Sequence, residues 1–327
     1  MKLMGRIIGT GSYVPPKRLT NADLERMLDT SDKWIYSHTG IRERRIASDD
    51  FNTSDMAVEA IQQALDMSKC SPDEIELVIV GTTTPDYRMP STACVIQEKL
   101  NLPNAAAFDV VSACAGFVNG LAVAKSFIES GTYKKIVVVG SEKLSSIVNY
   151  NDRGTCVIFG DGAGAAIIAT NKNGRGVLST FAKSDGTQRE LLWIPTGGVK
   201  SPYNMDFTYN GSDKVQMKGP DVYKFAVREM YNASLKAIEN AGIGLEDISL
   251  IVPHQANIRI IKGLAKRLKV SMDRVVVNID KYGNTSAASI PIALDEANRE
   301  GRLKDGDLVL MVAFGSGLIW AATVVRW

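Results

Sequence analysis

Histidine is almost missing from this chain: 327 residues contain two, His38 and His254. Any chemistry that needs an imidazole must use one of them, and a zinc site has little to draw on. Cysteine is also sparse. Cys70, Cys94, Cys114 and Cys156 lie far apart with no CxxC pair, which removes the usual redox and metal signatures. In a reducing compartment these thiols stay unpaired. Charge of one sign is lacking as well: 38 Lys and Arg against 36 Asp and Glu leave a net charge of +2. No global field draws the chain to nucleic acid or a membrane, so any functional charge is local. No apolar run approaches the ~20 residues that cross a bilayer. Met1 to Pro16 holds only the pair Ile7-Ile8 between glycines, unlike a signal peptide. The expectation is a cytoplasmic chain.

What is present is ordinary for a globular protein: 45% hydrophobic and 23% charged residues. The length suits two domains or one large α/β unit with a substantial core. Strand-like runs at 77–80, 106–111, 136–139, 156–159, 250–252, 275–279 and 308–312 alternate with helical ones. The helical runs are 56–67, 95–100, 115–130, 222–241, 258–268 and 287–300, giving an α/β fold with covered sheets. The chain also reads as duplicated. Ala60–Gly81 lies over Ala233–His254 without a gap, matching Ala64 to Ala237, Glu74 to Asp247 and Leu77 to Leu250. The strand before Cys114 pairs in this reading with the strand before Asn284, and Phe314-Gly315-Ser316-Gly317 echoes Phe159-Gly160-Asp161-Gly162. Shared helix–strand patterning is the competing explanation. The boundary falls at the turn Asn171-Lys172-Asn173-Gly174, giving halves 1–171, with Cys114, and 172–327, with His254 and Asn284. Residues 185–220, rich in Gly, Pro, Thr and Asn, read as a long functional loop.

The most informative stretch is Phe108-Asp109-Val110-Val111-Ser112-Ala113-Cys114-Ala115-Gly116-Phe117. A strand turns sharply there into a buried helix, with Cys114 at the turn. A helix start favours thiolate over thiol, so Cys114 reads either as a nucleophile or as a small buried hydrophobe. His254 and Asn284 also sit just past buried strands, where ligands gather in sheet proteins. Taken singly, each has a bland reading, a core histidine and a turn asparagine after Gly283.

These residues carry a resemblance. The chain resembles the β-ketoacyl-acyl-carrier-protein synthase III family, the initiating condensing enzymes of type II fatty-acid synthesis in the thiolase superfamily. The matching motifs are VVSACAGF around Cys114, DRGT at 152–155, FGDGAGA at 159–165, PHQAN at 253–257 and GNTSAASIP at 283–291. The resemblance implies a thiolase-like, pseudo-duplicated α/β/α/β/α fold and a homodimer. It implies that Cys114 takes an acyl group from acyl-CoA, with the backbone N–H groups of Cys114 and Ser316 as oxyanion hole. His254 and Asn284 then donate hydrogen bonds to the malonyl thioester carbonyl. Trp34 and Arg153 match residues that sandwich the CoA adenine, while Gly154, Gly219, Tyr223, Ala256 and Asn257 match the pantetheine tunnel. His38 stands where the family carries an Arg, and so alters the CoA phosphate contact. Leu144 and Phe159 fall in the acyl pocket, and Met89 falls where a residue reaches into the partner's pocket. No metal or redox cofactor is implied.

The segment after His254 places Arg259, Lys262, Lys266 and Lys269 at helical spacing, with Arg267 and Lys224 nearby. Such a face is either simply solvated or, beside the tunnel, a docking surface for an acidic acyl carrier protein. No aromatic interleaving favours nucleic acid. The competing readings are a secondary-metabolism ketosynthase or acyltransferase of the same fold, a Cys-His-Asn hydrolase, and a non-catalytic thiolase-fold protein. The first papain-like signature, C-G-[SA]-C-[WY], is missing around Cys114.

Overall fold

Continuous β-branched runs form the buried centres of two sheets, and amphipathic segments cover them. The structure is a computed structural model and describes residues 3–203 and 210–327. The first sheet holds β1 (Met4–Tyr13), β2 (Leu77–Gly81), β3 (Ala106–Val110), β4 (Lys135–Glu142) and β5 (Gly162–Asn171), in the order β1-β5-β4-β2-β3. β2 runs parallel to β3 and β4, while β5 runs antiparallel to β1 and β4. The second sheet holds β6 (Gly176–Ser184), β7 (Ile248–Pro253), β8 (Leu308–Gly315) and β9 (Ile319–Arg326), in the order β7-β8-β9-β6. β7 and β8 are parallel and the other pairs antiparallel. Read from its other edge, β6-β9-β8-β7 repeats β1-β5-β4-β2 in order and direction. Only one parallel bridge, Ile251 to Val275, stands where a counterpart of β3 belongs.

The principal helices are α1 (Asp32–Thr39), α2 (Thr53–Ser68), α3 (Thr92–Lys99), α4 (Gly116–Glu129), α5 (Gly219–Ala241), α6 (Ile258–Leu268) and α7 (Ser289–Arg299). α2 covers the outer face of the first sheet. α4 and α7 lie between the sheets, where Phe117, Leu121, Ile290 and Leu294 meet β-branched residues from both. α5 and α6 cover the far face of the second sheet. This is the α/β/α/β/α layering. On α6, Ile260, Ile261, Leu264 and Leu268 are buried and the basic residues face outward, because apolar burial decides which side of the helix turns inward.

Two expected strands are absent. Residues 153–156 form a helical turn instead, because Asp152 caps it, accepting from the Gly154 N–H at 2.8 Å and the Thr155 hydroxyl at 2.7 Å. The apolar residues beyond are buried without a ladder: the Val157 carbonyl accepts from Arg44 and the Ile158 carbonyl from the Asn284 N–H. Residues 275–279 likewise form no ladder: beyond the single bridge to Ile251, with the Val276 N–H donating to the Ile251 carbonyl at 2.9 Å, no further backbone pairing with that strand follows. Gln255 takes that place with its side chain, donating to the Val276 carbonyl at 3.1 Å and accepting from the Asn278 N–H at 3.1 Å. No strand therefore ends before Asn284. The loop 185–220 contributes a short turn and a two-residue ladder, Leu192–Trp193 with Gln216–Met217. Residues 204–209 of it lie outside the described part.

Small residues let the layers touch at the centre. A Cβ on Gly81 would lie 2.6 Å from the Gly116 carbonyl carbon, and one on Gly140 would lie 2.2 Å from the Ala287 oxygen. Both neighbours are backbone and cannot rotate away. Gly140→Ala should cost roughly 1–3 kcal/mol in urea unfolding, the range for an overpacked core. An unchanged midpoint would show that these layers have slack.

Candidate active site

Two matching turns meet where the layers touch. Ser112 leads into the turn Ala113–Ala115 and then α4; Thr285 leads into the turn Ser286–Ala288 and then α7. Ala113 has φ +44° and Ser286 φ +48°, a left-handed conformation that is strained for residues with a Cβ. By backbone conformation, Cys114 corresponds to Ala287, at the same sequence offset that relates Ala60 to Ala233. The expected match of the strand before Cys114 with a strand before Asn284 is thus corrected. Gly315, at the end of β8, allows the contact: a Cβ there would lie 2.7 Å from the Cys114 nitrogen.

Cys114 is buried, and this burial pushes its thiol up to about 12. A hydrogen bond with the Ser286 side chain opposes the rise, and the Glu142 charge adds to it. The resting sulfur is therefore a thiol. A helix start was expected to favour the thiolate, but α4 begins only at Gly116, and desolvation is the largest influence on the thiol.

His254 follows the end of β7 and is fully enclosed. Burial alone lowers its imidazole to about 3, so the ring is neutral. Its Nδ1 lies 2.6 Å from the Ser289 hydroxyl, which already accepts from the Gln255 N–H at 3.3 Å. With the Ser289 hydroxyl donating to Nδ1, the ring carries its proton on Nε2 and Nε2 is the N–H donor; this is the tautomer we assign. Asn284 is fixed in the same way. Its Oδ1 accepts from the Ser286 N–H at 2.8 Å, which leaves the amide N–H groups free to donate elsewhere. Cys114, His254 and Asn284 all line one cavity of about 750 Å³. A thiol and two oriented neutral donors thus face a shared space.

Residues that the sequence reading did not single out hold this arrangement. Ser289 orients His254. Gln255 joins the His254 loop to 276–278, donating also to the Pro253 carbonyl at 2.8 Å. Glu296 on α7 accepts from Asn278 at 2.7 Å and from the Tyr282 hydroxyl at 2.5 Å, gripping both sides of the approach to Asn284. Gln255 and Ser289 sit inside motifs already noted; nothing in the sequence pattern marks Glu296.

The same cavity is lined by Trp34, His38, Gly154, Gly219, Tyr223, Lys224, Ala256, Asn257 and Arg259. Arg153 does not form a slot with Trp34. Its guanidinium sits directly over the Trp34 ring, 4.8 Å from the centroid, and donates to the Asp29 carbonyl at 2.8 Å. His38 stacks on Trp34 as well, at 4.5 Å. Asn257 caps α6, accepting from the Arg259 N–H at 2.8 Å, and donates to the His38 carbonyl at 3.0 Å. A smaller pocket of about 180 Å³ opens on the other side of Cys114 and is lined by Leu144, Phe159, Ser316 and Leu192–Ile194, among others. Met89 is 87% exposed and lies away from the pockets of its own chain. Arg259 is not a free cation: its guanidinium donates to the Ser37 carbonyl at the end of α1, at 2.9 and 3.2 Å. Lys224 approaches Asp221 at 3.7 Å. Lys262, Lys266, Arg267 and Lys269 are exposed, with no ion pair among the described residues. Among those residues no cluster of three or more His, Cys, Asp or Glu could hold a metal, and no helix is long and apolar enough to cross a membrane.

Known proteins match this chain along its whole length. Residues 108–186 match the 3-oxoacyl-[acyl-carrier-protein (ACP)] synthase III family, and residues 238–327 match the C-terminal region of the same family. The β-ketoacyl-[acyl-carrier-protein] synthase III of Caldanaerobacter subterraneus subsp. tengcongensis is 49% identical over 326 residues, covering 100% of this chain and 98% of that one. The crystal structure of 3-oxoacyl-[acyl-carrier-protein] synthase III from Aquifex aeolicus VF5 superposes with a TM-score of 0.92 at 46% identity, covering 99% and 100%. The priming β-ketosynthase of the R1128 polyketide biosynthetic pathway gives a TM-score of 0.92 at 34% identity, covering 99% and 96%. The fold is that of a thiolase-like condensing enzyme. The chain belongs to the β-ketoacyl-[acyl-carrier-protein] synthase III family.

Since burial holds the His254 imidazole near 3, its ring should stay neutral, with the proton on Nε2, from pH 8 to pH 5. Nitrogen NMR of labelled protein reads the tautomer directly, and Ser289→Ala should scramble it. An imidazolium appearing with a midpoint near 6.5 would contradict the assignment.

Proposed function

We propose that Cys114, His254 and Asn284 carry the reaction of this family in this chain. The enzyme is an acyltransferase that starts fatty-acid synthesis by a decarboxylative Claisen condensation. An acyl-CoA primer and malonyl-acyl-carrier protein give 3-oxoacyl-acyl-carrier protein, CoA and CO2. The observation that supports this reading is the pair of oriented neutral donors beside a thiol. Cys114 attacks the primer thioester and becomes acylated, while the N–H groups of Cys114 and Ser316 stabilise the tetrahedral oxyanion. The malonyl thioester then places its carbonyl against His254 Nε2–H and an Asn284 amide N–H. Both donors stabilise the enolate left when CO2 departs, and the enolate carbon attacks the acyl-Cys114 carbonyl. A hydrolase reading needs His254 as a general base. An imidazole held near 3 is a weak base at neutral pH.

The remaining roles belong to the same proposal. The larger cavity takes the pantetheine arm past Gly154, Gly219, Tyr223, Ala256 and Asn257, and the CoA nucleotide settles at Trp34. For the adenine to insert between Trp34 and Arg153, the guanidinium must swing off the ring. His38 donates from Nδ1 to the Trp34 carbonyl at 2.7 Å, which leaves only Nε2 to meet the nucleotide, where an arginine would offer a fork of donors. The smaller pocket, with Leu144 and Phe159, takes the acyl chain. Two halves, 1–171 and 172–327, make the site jointly. Two chains form a homodimer in which Met89 serves the partner's acyl pocket. The enzyme works in the cytoplasm without a metal or redox cofactor. Carrier protein docks on the free cations of α6, Lys262, Lys266 and Arg267, with Lys224 at the edge.

Acylation should appear as a single adduct on Cys114 by intact-mass spectrometry after mixing with acyl-CoA, and should vanish in Cys114→Ala. His254→Ala and Asn284→Ala should still acylate while losing condensation by about 10²–10³-fold, the range for one oxyanion donor. Loss of acylation in His254→Ala, with normal condensation in Asn284→Ala, would favour a base role for His254.

Lys262→Glu/Lys266→Glu should raise the KM for malonyl-acyl-carrier protein several-fold at low salt and less at moderate salt, since screening removes exposed charge effects. Self-acylation from acyl-CoA should hardly change. Arg259 is left intact because it fastens α1. Equal losses in both half-reactions at both salt levels would place docking elsewhere.

A further inference from the structure

Glu142 is a fully buried carboxylate beside the nucleophile, and the condensation mechanism above makes no use of it. It ends β4 and receives hydrogen bonds from the Thr82 hydroxyl at 3.2 Å, the Thr83 N–H at 3.0 Å, the Thr83 hydroxyl at 3.1 Å, the Thr84 hydroxyl at 2.7 Å and the Ser286 hydroxyl at 2.9 Å. All of these bonds run toward the carboxylate. Thr82 Oγ accepts from the Thr84 N–H at 3.1 Å, and Thr84 Oγ accepts from the Lys143 N–H at 2.9 Å. Both hydroxyls give their protons to Glu142 Oε2 and the Ser286 hydroxyl gives its own to Oε1, so Glu142 accepts on both oxygens, the arrangement that suits a carboxylate. No cation pairs with it among the described residues. The neighbouring Lys143 ammonium is spent on the Ser48 and Asp49 carbonyls, at 2.8 and 3.2 Å. The other groups facing it, from the segment after β2 and from the turn before α7, are uncharged threonines and Ser286. The Cys114 thiol is the one titratable group that acts on the same cluster.

Ser286 has a single hydroxyl proton, which it gives to Glu142. Cys114 and Ser286 line the same small pocket, and with its proton given to Glu142 the Ser286 oxygen is able to accept from the thiol, the order Cys114 S–H to Ser286 O–H to Glu142 carboxylate. We propose that Glu142, acting through Ser286, takes up and stores the Cys114 proton while the enzyme is acylated. Glu142 is then the positioning residue, and Ser286 is the catalytic one that touches sulfur. As the S–C bond to the acyl group forms and the C–S bond to CoA breaks, the thiol proton moves to Ser286 and the Ser286 proton moves to Glu142. The CoA thiolate leaves and takes its proton from water. In condensation the enolate displaces Cys114 as thiolate, and the stored proton returns along the same two bonds. The cycle as a whole consumes one solvent proton, as decarboxylation of a malonyl carboxylate requires. Burial raises the Glu142 carboxyl, which suits a proton store. This inference rests on Cys114 being the acylated nucleophile.

The test is a burst of acylation in weakly buffered solution with a pH indicator, using whichever of acetyl-CoA and isobutyryl-CoA labels the enzyme. Intact-mass measurement runs in parallel. Wild type should take up one proton from solvent for each acyl-Cys114 formed, because Glu142 keeps the thiol proton and CoA draws on water. Glu142→Gln should acylate about 10²-fold more slowly, with no proton uptake; Glu142→Asp should restore part of both. Should Glu142→Gln fail to fold, Ser286→Ala replaces it, since Ala113 already holds an alanine in the same backbone conformation. A full Cys114 adduct in wild type with no proton uptake overturns the storage role alone. An adduct that persists in Cys114→Ala overturns the underlying assignment and the relay with it.

Discussion

Backbone-to-backbone contact at the centre of the molecule governs everything that the site does. Gly81 touches Gly116, Gly140 touches Ala287 and Gly315 touches Cys114, each at distances that exclude a Cβ. These contacts bring the turn before α4 against the turn before α7, so residues far apart in sequence share one floor. Had either turn stood off by a side chain's width, Cys114 would face its own helix bundle and the donors of the second sheet would face another. The strained left-handed residues Ala113 and Ser286 fit the same constraint, because a relaxed backbone there would move both turns.

Burial at this centre sets the protonation of the site. The same exclusion of water makes the Cys114 thiol weakly acidic, keeps the His254 imidazole neutral and raises the Glu142 carboxyl. A neutral imidazole suits hydrogen-bond donation to an enolate oxygen. In the proposed reaction the thiol needs help of another kind, since a proton held that firmly must be given an acceptor if sulfur is to bond to the acyl carbon. Each polar side chain here has one direction left open: Ser289 fixes His254, the Ser286 amide fixes Asn284, and the Ser286 hydroxyl faces both sulfur and carboxylate. Preorganised donors of this sort need no rearrangement as charge develops.

The entrance is built with less rigidity. Trp34 carries His38 and Arg153 as stacking partners, and all three lie partly in solvent. Arg259 ties α6 to the end of α1 through the Ser37 carbonyl, so the helix that offers free cations also braces the wall carrying Trp34. The proposed docking face and the proposed nucleotide wall thus share one frame.

Much of this was legible in sequence because it is periodic or local. β-branched runs predicted β2, β4, β7 and β8, and the apolar spacing of 258–268 gave α6 with its basic face, since burial of one side is enough to fix both. The ordered motifs placed Cys114, His254 and Asn284, and the ungapped match of 60–81 with 233–254 carried the offset that relates Cys114 to Ala287. Tertiary structure decided what depends on partners distant in the chain. Residues 156–159 and 275–279 have strand composition, yet Asp152 caps the first segment and the Gln255 side chain occupies the second, so neither finds a ladder. A helix start argued for a thiolate at Cys114, but desolvation is a property of packing, and packing made it a thiol. Arg259 looked like surface charge until Ser37 came within reach. Glu142 followed an ordinary strand, and only the close approach of Ser286 turned it toward the chemistry.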